Sequence, residues 1–403
     1  MKHFLIIADD FTGANDAGVQ LTRRGINTHV IFDPKLISYD GDSYVLDTES
    51  RGLDSADAYK LLKELFAEID FTKFDYIVKK TDSTLRGNIP MEVKALYDSL
   101  DNRTVVFAPA FPDIGRMTIN GRHYLNDKPL METEFAKDPI KPITTDCLKD
   151  LLEEAFEEEC IHLPPDSLDS EKEYSHNLYS FDCTKNDQLI KIVDTFDKPE
   201  FNVLWVGSAG ICDAILNKLE PVLPSAALIT SVSETTRKQV KFAESKGVKL
   251  VRVPVHELLE KRNYIYAEEM ISHINNGFDA LLISSATYDR NELDLSIEAG
   301  KALGLSRLEL SSLTQEIMSE LMEKVLEQVK LSGVFLSGGD TAIGFIKRID
   351  SEGSTILGEA CNGIPIMQIQ KGRFPGLKVI TKAGGFGNED AIVYSLRKLK
   401  EQE

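Results

Sequence analysis

Cysteine is scarce: Cys147, Cys160, Cys183, Cys212 and Cys361 are odd in number, widely spaced and contain no C-x-x-C pair. That argues against a disulfide framework and a zinc site, and leaves buried free thiols. Positive charge is in deficit too. Against 65 Asp and Glu stand 46 Lys and Arg, a net charge of -19, with no basic run or basic aromatic stripe to offset it. Nucleic acid and anionic membrane are therefore not expected partners, and any anionic substrate must be met by local cations. Long apolar runs are missing as well. Lys2 precedes only a short apolar stretch that soon reaches Asp9-Asp10, so a cytosolic protein is expected. Neither G-x-x-x-x-G-K-[ST], G-x-G-x-x-G nor H-E-x-x-H occurs, so the familiar triphosphatase, dehydrogenase and metallopeptidase signatures are absent. No metal-ligand set is legible. The seven histidines are scattered, and only His123 lies beside suspected chemistry, where a structural role serves equally well.

What is present is an ordinary globular composition, 42% apolar and 28% charged, in a chain of 403 residues, longer than one core usually organises. Two domains are expected. From 1 to 220, short apolar runs at Leu5–Ala8, Thr28–Phe32, Ser43–Leu46, Tyr76–Val78, Thr104–Ala108 and Val203–Val206 read as strands. Asp57–Phe66 and Pro90–Leu100 read as amphipathic helices between them. Pro109–Pro142, with five prolines, reads as a long irregular loop that its aromatic residues keep ordered and facing a substrate. Residues 221–225, with Pro221 and Pro224, read as a linker. From 226 to 403 a second series follows, with strands at Ala226–Ile229, Lys249–Val253, Ala280–Ile283, Gly333–Leu336, Pro365–Ile369 and Leu377–Ile380. Arg237–Lys246 and Ser311–Val329 read as helices, the latter acidic enough for a solvated surface. The expected fold is two α/β domains, each a mainly parallel sheet flanked by helices.

Polar clusters recur where the expected strands end, the rim at which open α/β sheets bind ligands. After Leu5–Ala8 come Asp9 and Asp10, which face opposite ways. One can cap the following helix, leaving the other for a hydroxyl, a cation or a proton. Lys79–Asn88 holds lysines, an arginine, the hydroxyls of Ser83 and Thr84, and Asp82 as a proton acceptor. Asp47–Arg51 and Pro112–Arg116 repeat the mixture, which suits a small polyhydroxylated acid. In the second half, Ser337-Gly338-Gly339-Asp340-Thr341 and Lys382-Ala383-Gly384-Gly385-Phe386-Gly387 form two glycine turns. Thr230–Ser233 adds hydroxyls at a third strand end. Bare backbone N–H groups at a helix start bind phosphate, so this half reads as a nucleotide site.

Five segments, Asp9–Ala14, Lys80–Asn88, Pro109–Arg116, Gly338–Thr341 and Gly384–Gly387, resemble the motifs of the four-carbon acid sugar kinase family. The likeness spans nearly the whole chain. It implies an amino-terminal domain for the acid sugar and a carboxyl-terminal domain for ATP. It also implies phosphorylation of D-threonate, D-erythronate or a 3-oxo-tetronate at the terminal hydroxyl. On this chain Asp9, Arg51 and Asp82 to Arg86, including Ser83 and Thr84, would hold substrate, with Arg116 added from its own rim. Ser231, Gly338, Gly339, Asp340, Thr341, Gly384, Gly385, Phe386 and Gly387 would hold the nucleotide. The family pattern has a glycine before the first serine of Ser231-Val232-Ser233, where this chain has Thr230.

The mechanism expected from the resemblance is in-line transfer of the γ-phosphoryl group with Mg²⁺ bridging the phosphates. Asp82 is the first candidate base and Asp10 the second. Arg51 and Arg86 are candidates for the substrate carboxylate, and closure over the linker would exclude water. Rival readings are a phosphosugar isomerase or aldolase, and a sugar-acid sensor without turnover. Oligomeric state is open, with a homodimer as a candidate.

Overall fold

The computed structural model describes residues 2–101, 103–139, 141–169 and 173–401. They divide into a unit ending at Pro221 and a unit Val222–Glu401. In the first unit the strands are β1 (Phe4–Ala8), β2 (Thr28–Ile31), β3 (Ser43–Asp47), β4 (Tyr76–Lys80), β5 (Thr104–Phe107), β6 (Arg116–Ile119), β7 (Arg122–Leu125), β8 (Lys128–Pro129), β9 (Ile161–Leu163), β10 (Leu178–Phe181) and β11 (Val203–Gly207). Eight of them form one sheet in the order β2-β3-β1-β4-β11-β5-β10-β9. Every pairing in it is parallel.

This sheet is buried on both faces, which is why its strands read as apolar runs without alternation. Phe4, Ile6 and Ala8 pack on one side with the helices Phe11–Thr22 and Ala209–Leu219. Leu5 and Ile7 pack on the other with Ser55–Phe66, Ile89–Tyr97 and Leu148–Phe156. Each Phe, Leu or Ile side chain so buried contributes roughly 1.5–3 kcal/mol. Register then sets the rim: Ala8 is opposite both Asp47 and Lys80, and Lys80 is opposite Gly207. The segments after β3, β1, β4 and β11 therefore leave the sheet side by side.

The structure differs from the sequence expectation in several places. β3 and β4 run on to Asp47 and Lys80, because the two lysines ending β4 are themselves buried. The stretch Pro109–Pro142 is not irregular throughout: β6, β7 and β8 pair antiparallel as a small sheet. Its first hairpin turns on Asn120-Gly121, both at positive φ, the pair that a two-residue type I′ turn demands. Ile140, in the same stretch, lies outside the described residues.

The second unit holds β12 (Ala226–Ile229), β13 (Lys249–Val253), β14 (Ala280–Ser284), β15 (Val334–Ser337), β16 (Gly353–Cys361), β17 (Ile364–Lys371) and β18 (Lys378–Lys382). Their order is β13-β14-β12-β15-β18-β17-β16. The first five are parallel, but β17 runs antiparallel to both β18 and β16, so the sheet is mixed. Another Asn-Gly pair, Asn362-Gly363, turns that hairpin, with Gly363 at φ 76°. The long helix, Arg307–Gln328, starts from a Ser306/Glu309 capping box and buries Ile317, Met318, Leu321, Met322 and Val325. It is thus a core helix with an acidic outer face, not a wholly solvated one.

Candidate active site

On the first unit the rim is built around one guanidinium. Arg51, in the turn after β3, donates from Nε to Asp9 Oδ2 at 2.6 Å and from Nη1 to Asp10 Oδ2 at 2.6 Å. Its Nη2 reaches Asp9 Oδ1 at 3.1 Å and Asp10 Oδ1 at 2.8 Å. Burial opposes the charge on Arg51, but its carboxylate partners outweigh that and hold it protonated. Asp10 is also the helix cap, accepting from Gly13 N–H at 2.9 Å. Asp9 is 1% exposed and free of the capping role. Gly87, at φ +100°, lets the chain pass: a Cβ there would stand 3.1 Å from Asp9 Oδ2 and 3.4 Å from Arg51 Cγ.

Asp82 follows β4. Its Oδ2 accepts from Arg86 Nε at 2.7 Å and from the Thr84 hydroxyl, while among the described residues Oδ1 has only a 3.4 Å contact from Arg86 Nη2. Burial pushes the Asp82 carboxyl up. Hydrogen bonds from Arg86 and Thr84 and the charges of Arg51 and Arg86 outweigh that and leave it below the usual range. Arg86 is further held by Asp138 at 3.3 Å and lies over the Phe135 ring at 5.1 Å. The segment expected to face substrate thus packs onto this rim.

His123, fully buried, donates from Nε2 to the Ser83 carbonyl at 3.2 Å and accepts at Nδ1 from Thr118 at 2.9 Å. Burial lowers its pKa to about 4, so it is neutral and holds the backbone of Ser83. Arg116 sits within the field of Asp82. Its Nη1 bonds the Ile114 carbonyl at 3.0 Å, and its buried Nε has no partner among the described residues.

A layer beneath the rim was not legible to sequence reasoning. Lys79 Nζ pairs with Glu92 Oε2 at 2.9 Å, at 0% and 1% side-chain exposure. Glu92 Oε1 accepts from Ser50 at 2.6 Å, and Thr48 donates to the Ala8 carbonyl at 2.8 Å. Asn88 donates to the carbonyls of Ser50 and Leu53, both at 2.9 Å. Together these fix the turn that carries Arg51. One signal was available: Glu92 falls between Ile89, Val93 and Leu96, on the buried face of its helix.

Asp47 ends β3, 2% exposed, with Oδ2 unpartnered among the described residues. Burial raises its pKa from 3.8 to about 6. The folded state therefore binds this proton more tightly than the unfolded chain. Its contribution to stability falls as pH rises through that window, and the full cost of the buried anion applies above it. Asp47→Asn should raise the melting temperature more at about pH 7.5 than at about pH 5. Equal gains at both pH values in a calorimetric scan would contradict this reading.

On the second unit the two glycine turns and the hydroxyl-rich turn stand on neighbouring strand ends. Ile229 is opposite Ser337, and Ser337 opposite Lys382. Gly338, at φ 114°, caps the helix Gly339–Arg348, whose first turn carries the exposed Asp340 and the buried Thr341. Thr341 and Thr230 share a hydroxyl hydrogen bond. The Gly384 carbonyl accepts from Ser233 at 2.6 Å and Thr236 at 3.0 Å. A Cβ on Gly384 would stand 2.6 Å from Ser231 Oγ. Gln239, not singled out from sequence, donates to the carbonyls of Phe386, Gly387 and Asn388 at 3.0, 3.1 and 2.8 Å. Lys382 is buried without a carboxylate partner among the described residues and bonds the Ala383 and Gly384 carbonyls at 3.1 and 3.2 Å. Burial alone lowers its pKa to about 8. Gly385 and Phe386 are exposed, the latter at 54%.

Within each unit, then, the residues singled out from sequence converge on one rim. Among the described residues no group of three or more His, Cys, Asp or Glu forms a metal cage, and no helix is long and apolar enough to cross a membrane.

Residues 4–215 match the family model described as a sugar-binding N-terminal domain, and residues 226–392 the one described as a nucleotide-binding C-terminal domain. A D-threonate kinase of Salmonella typhimurium is 29% identical over 425 residues, 98% of each chain. A D-erythronate kinase of Heliobacterium modesticaldum is 26% identical over 437 residues, covering 100% of this chain and 99% of its own. A Bordetella bronchiseptica protein, crystallised with bound citrate as a domain-swapped dimer, has the same fold. The TM-score is 0.61 at 23% identity over 99% of both chains.

Proposed function

The chain belongs to the four-carbon acid sugar kinase family, with its sugar-binding N-terminal and nucleotide-binding C-terminal domains, and from that premise we propose that this carbohydrate kinase transfers the γ-phosphoryl group of ATP to the terminal hydroxyl of D-threonate, D-erythronate or a 3-oxo-tetronate. The observation that carries this reading is Asp82, an ionised carboxylate whose Oδ1 is only loosely held, on a rim crowded with arginines. A base in phosphoryl transfer need not be strong. It orients the attacking hydroxyl and takes its proton as the bond to phosphorus forms.

The geometry shifts two roles. Asp10 is less suited to act as base, because both its oxygens are bound by Arg51 and one also caps a helix. Arg51 is already matched by two carboxylates, so its service is to hold Asp9 for a substrate hydroxyl. Arg116, whose Nε has no partner among the described residues, is the better cation for the substrate carboxylate, since Arg86, like Arg51, is already matched by two carboxylates, Asp82 and Asp138. On the nucleotide side the turns 338–341 and 384–387 and Ser231 are the proposed phosphate contacts. Mg²⁺ prefers phosphate oxygens, water and one or two carboxylates, and the exposed Asp340 beside the glycine turn fits that donor set. Bound there, the ion would neutralise charge on the phosphates.

The test is ADP release by the purified protein with Mg-ATP against D- and L-threonate, D- and L-erythronate and 3-oxo-tetronates. Turnover with one acid is expected. Silence across the panel, with no ATP binding by calorimetry, would sink the proposal.

A further inference from the structure

Two consecutive lysines end β4, both buried, and among the described residues only the first has a counter-ion. Lys79 is matched by Glu92. Lys80 is 3% exposed and forms no ion pair among the described residues, where its Nζ donates only to the Thr81 carbonyl at 3.0 Å. An ammonium carries three donors, so two stay open. A buried charge of that kind is costly unless an anion meets it. We propose that Lys80 receives the phosphate of the phosphorylated acid sugar, so that the first unit holds its own product-phosphate site. The inference rests on the kinase reading above and adds which group holds the transferred phosphate.

The surroundings of Lys80 fit that occupant. Successive side chains of a strand face opposite ways, so Lys79 points towards the helix of Glu92 and Lys80 towards the other face of the sheet. There its Nζ is aimed at the first turn of the helix Phe11–Thr22: a Cβ on Gly13 would stand 3.1 Å from it. β4 lies between β1 and β11, and each of those strands runs straight into a helix on this face. The one after β11, Ala209–Leu219, is capped by Ser208, next to the Gly207 that stands opposite Lys80. Burial pushes the Cys212 thiol of that helix up to about 12, and the Lys80 charge acts against the push. Two helices of 12 and 11 residues thus bring their positive ends to one unmatched ammonium. Asp10 does not neutralise it, because its oxygens are taken by Arg51 and the Gly13 N–H.

Two arguments make the anion a phosphate and not the carboxylate of the acid. A lysine is a compact point charge, and beside helix N-termini it suits a tetrahedral oxyanion, whereas a planar carboxylate suits the arginine fork, supplied by Arg116. Lys80 also lies two residues before Asp82, so their Cα atoms are at most about 7 Å apart. The hydroxyl that gives its proton to Asp82 is the oxygen that then carries the phosphate. That tethers the product's phosphate within a side chain's reach of Lys80.

Calorimetric titrations of the full chain with D-threonate, D-erythronate and a 3-oxo-tetronate, each beside its 4-phosphate, test this. The wild type should bind one 4-phosphate at least about tenfold more tightly than the free acid. Inorganic phosphate should weaken binding of that 4-phosphate and leave binding of the free acid unchanged. Lys80→Met should erase the advantage of the 4-phosphate, with affinities for the free acid and for Mg-ATP kept within about twofold. Its melting temperature without ligand should not fall, because a buried unmatched charge has gone.

A 4-phosphate that binds Lys80→Met as tightly as the wild type would overturn the inference. So would an equal loss of affinity for Mg-ATP, the mark of a nucleotide contact, or a lower melting temperature with weaker binding of the free acid, the mark of a structural role. Should the variant not fold, the competition in the wild type decides: inorganic phosphate that weakens acid and 4-phosphate alike, or neither, overturns it. Equal wild-type affinity for an acid and its 4-phosphate, with turnover intact, would overturn it and leave the kinase reading standing. A wild type that neither binds nor phosphorylates any of the acids would overturn both.

Discussion

Replacing Asp82 by asparagine is expected to lower kcat by about 10²–10⁴-fold, the range that a positioned proton acceptor supplies, with a smaller change in KM for the acid. The substitution is nearly isosteric. The Thr84 and Arg86 contacts can persist to an amide oxygen, and Arg86 keeps Asp138 and the face of Phe135. What disappears is the anion. Because Asp82 titrates below the usual carboxylate value of about 4, wild-type kcat/KM should show no acidic limb within the ordinary carboxylate range from this group. Steady-state rates with the acid that turns over in the panel provide the measurement. A kcat within about tenfold of wild type would remove Asp82 from the role of base.

Glu92→Ala should destabilise the first unit by about 3–5 kcal/mol, because it strands the Lys79 ammonium where side-chain exposure is 0%. The remaining acceptors of Lys79 are the Lys80 carbonyl at 3.0 Å and the Ile7 carbonyl at 3.4 Å. For a unit of this size the melting temperature should fall by roughly 6–20 °C. Ser50 loses its carboxylate acceptor at the same time and is left with the Thr48 hydroxyl at 2.8 Å, so the turn carrying Arg51 loosens and KM for the acid should rise. The double replacement Lys79→Met/Glu92→Leu separates these effects. With no charge left unpaired it should recover much of the stability, while KM stays raised because Ser50 keeps only the Thr48 hydroxyl and no carboxylate acceptor. A single variant melting within about 2 °C of wild type would show that the pair is not structural in the way its burial indicates.

Much of the site was legible because polar residues placed straight after an apolar run report a strand end wherever the strand lies. Asp9, Asp82, Gly338 and Gly384 could be named from that pattern, and long ordered motifs carried the family. Two Asn-Gly pairs, at 120–121 and 362–363, and the Ser306/Glu309 box were equally local signals. They mark the hairpins β6-β7 and β16-β17 and the start of the core helix.

What the sequence determined by itself is the alternation of buried strand and amphipathic helix in two units, and the chemistry at the strand ends. Both are local consequences of side-chain polarity and spacing. What only the tertiary structure decided is which charges cancel. Ala8 falls in register with Asp47 and Lys80, so Arg51 is spent on Asp9 and Asp10, Lys79 is matched by Glu92, and Arg116 Nε has no partner among the described residues. Charge compensation acts across a few ångströms of space, between residues 13 to 42 positions apart in the chain.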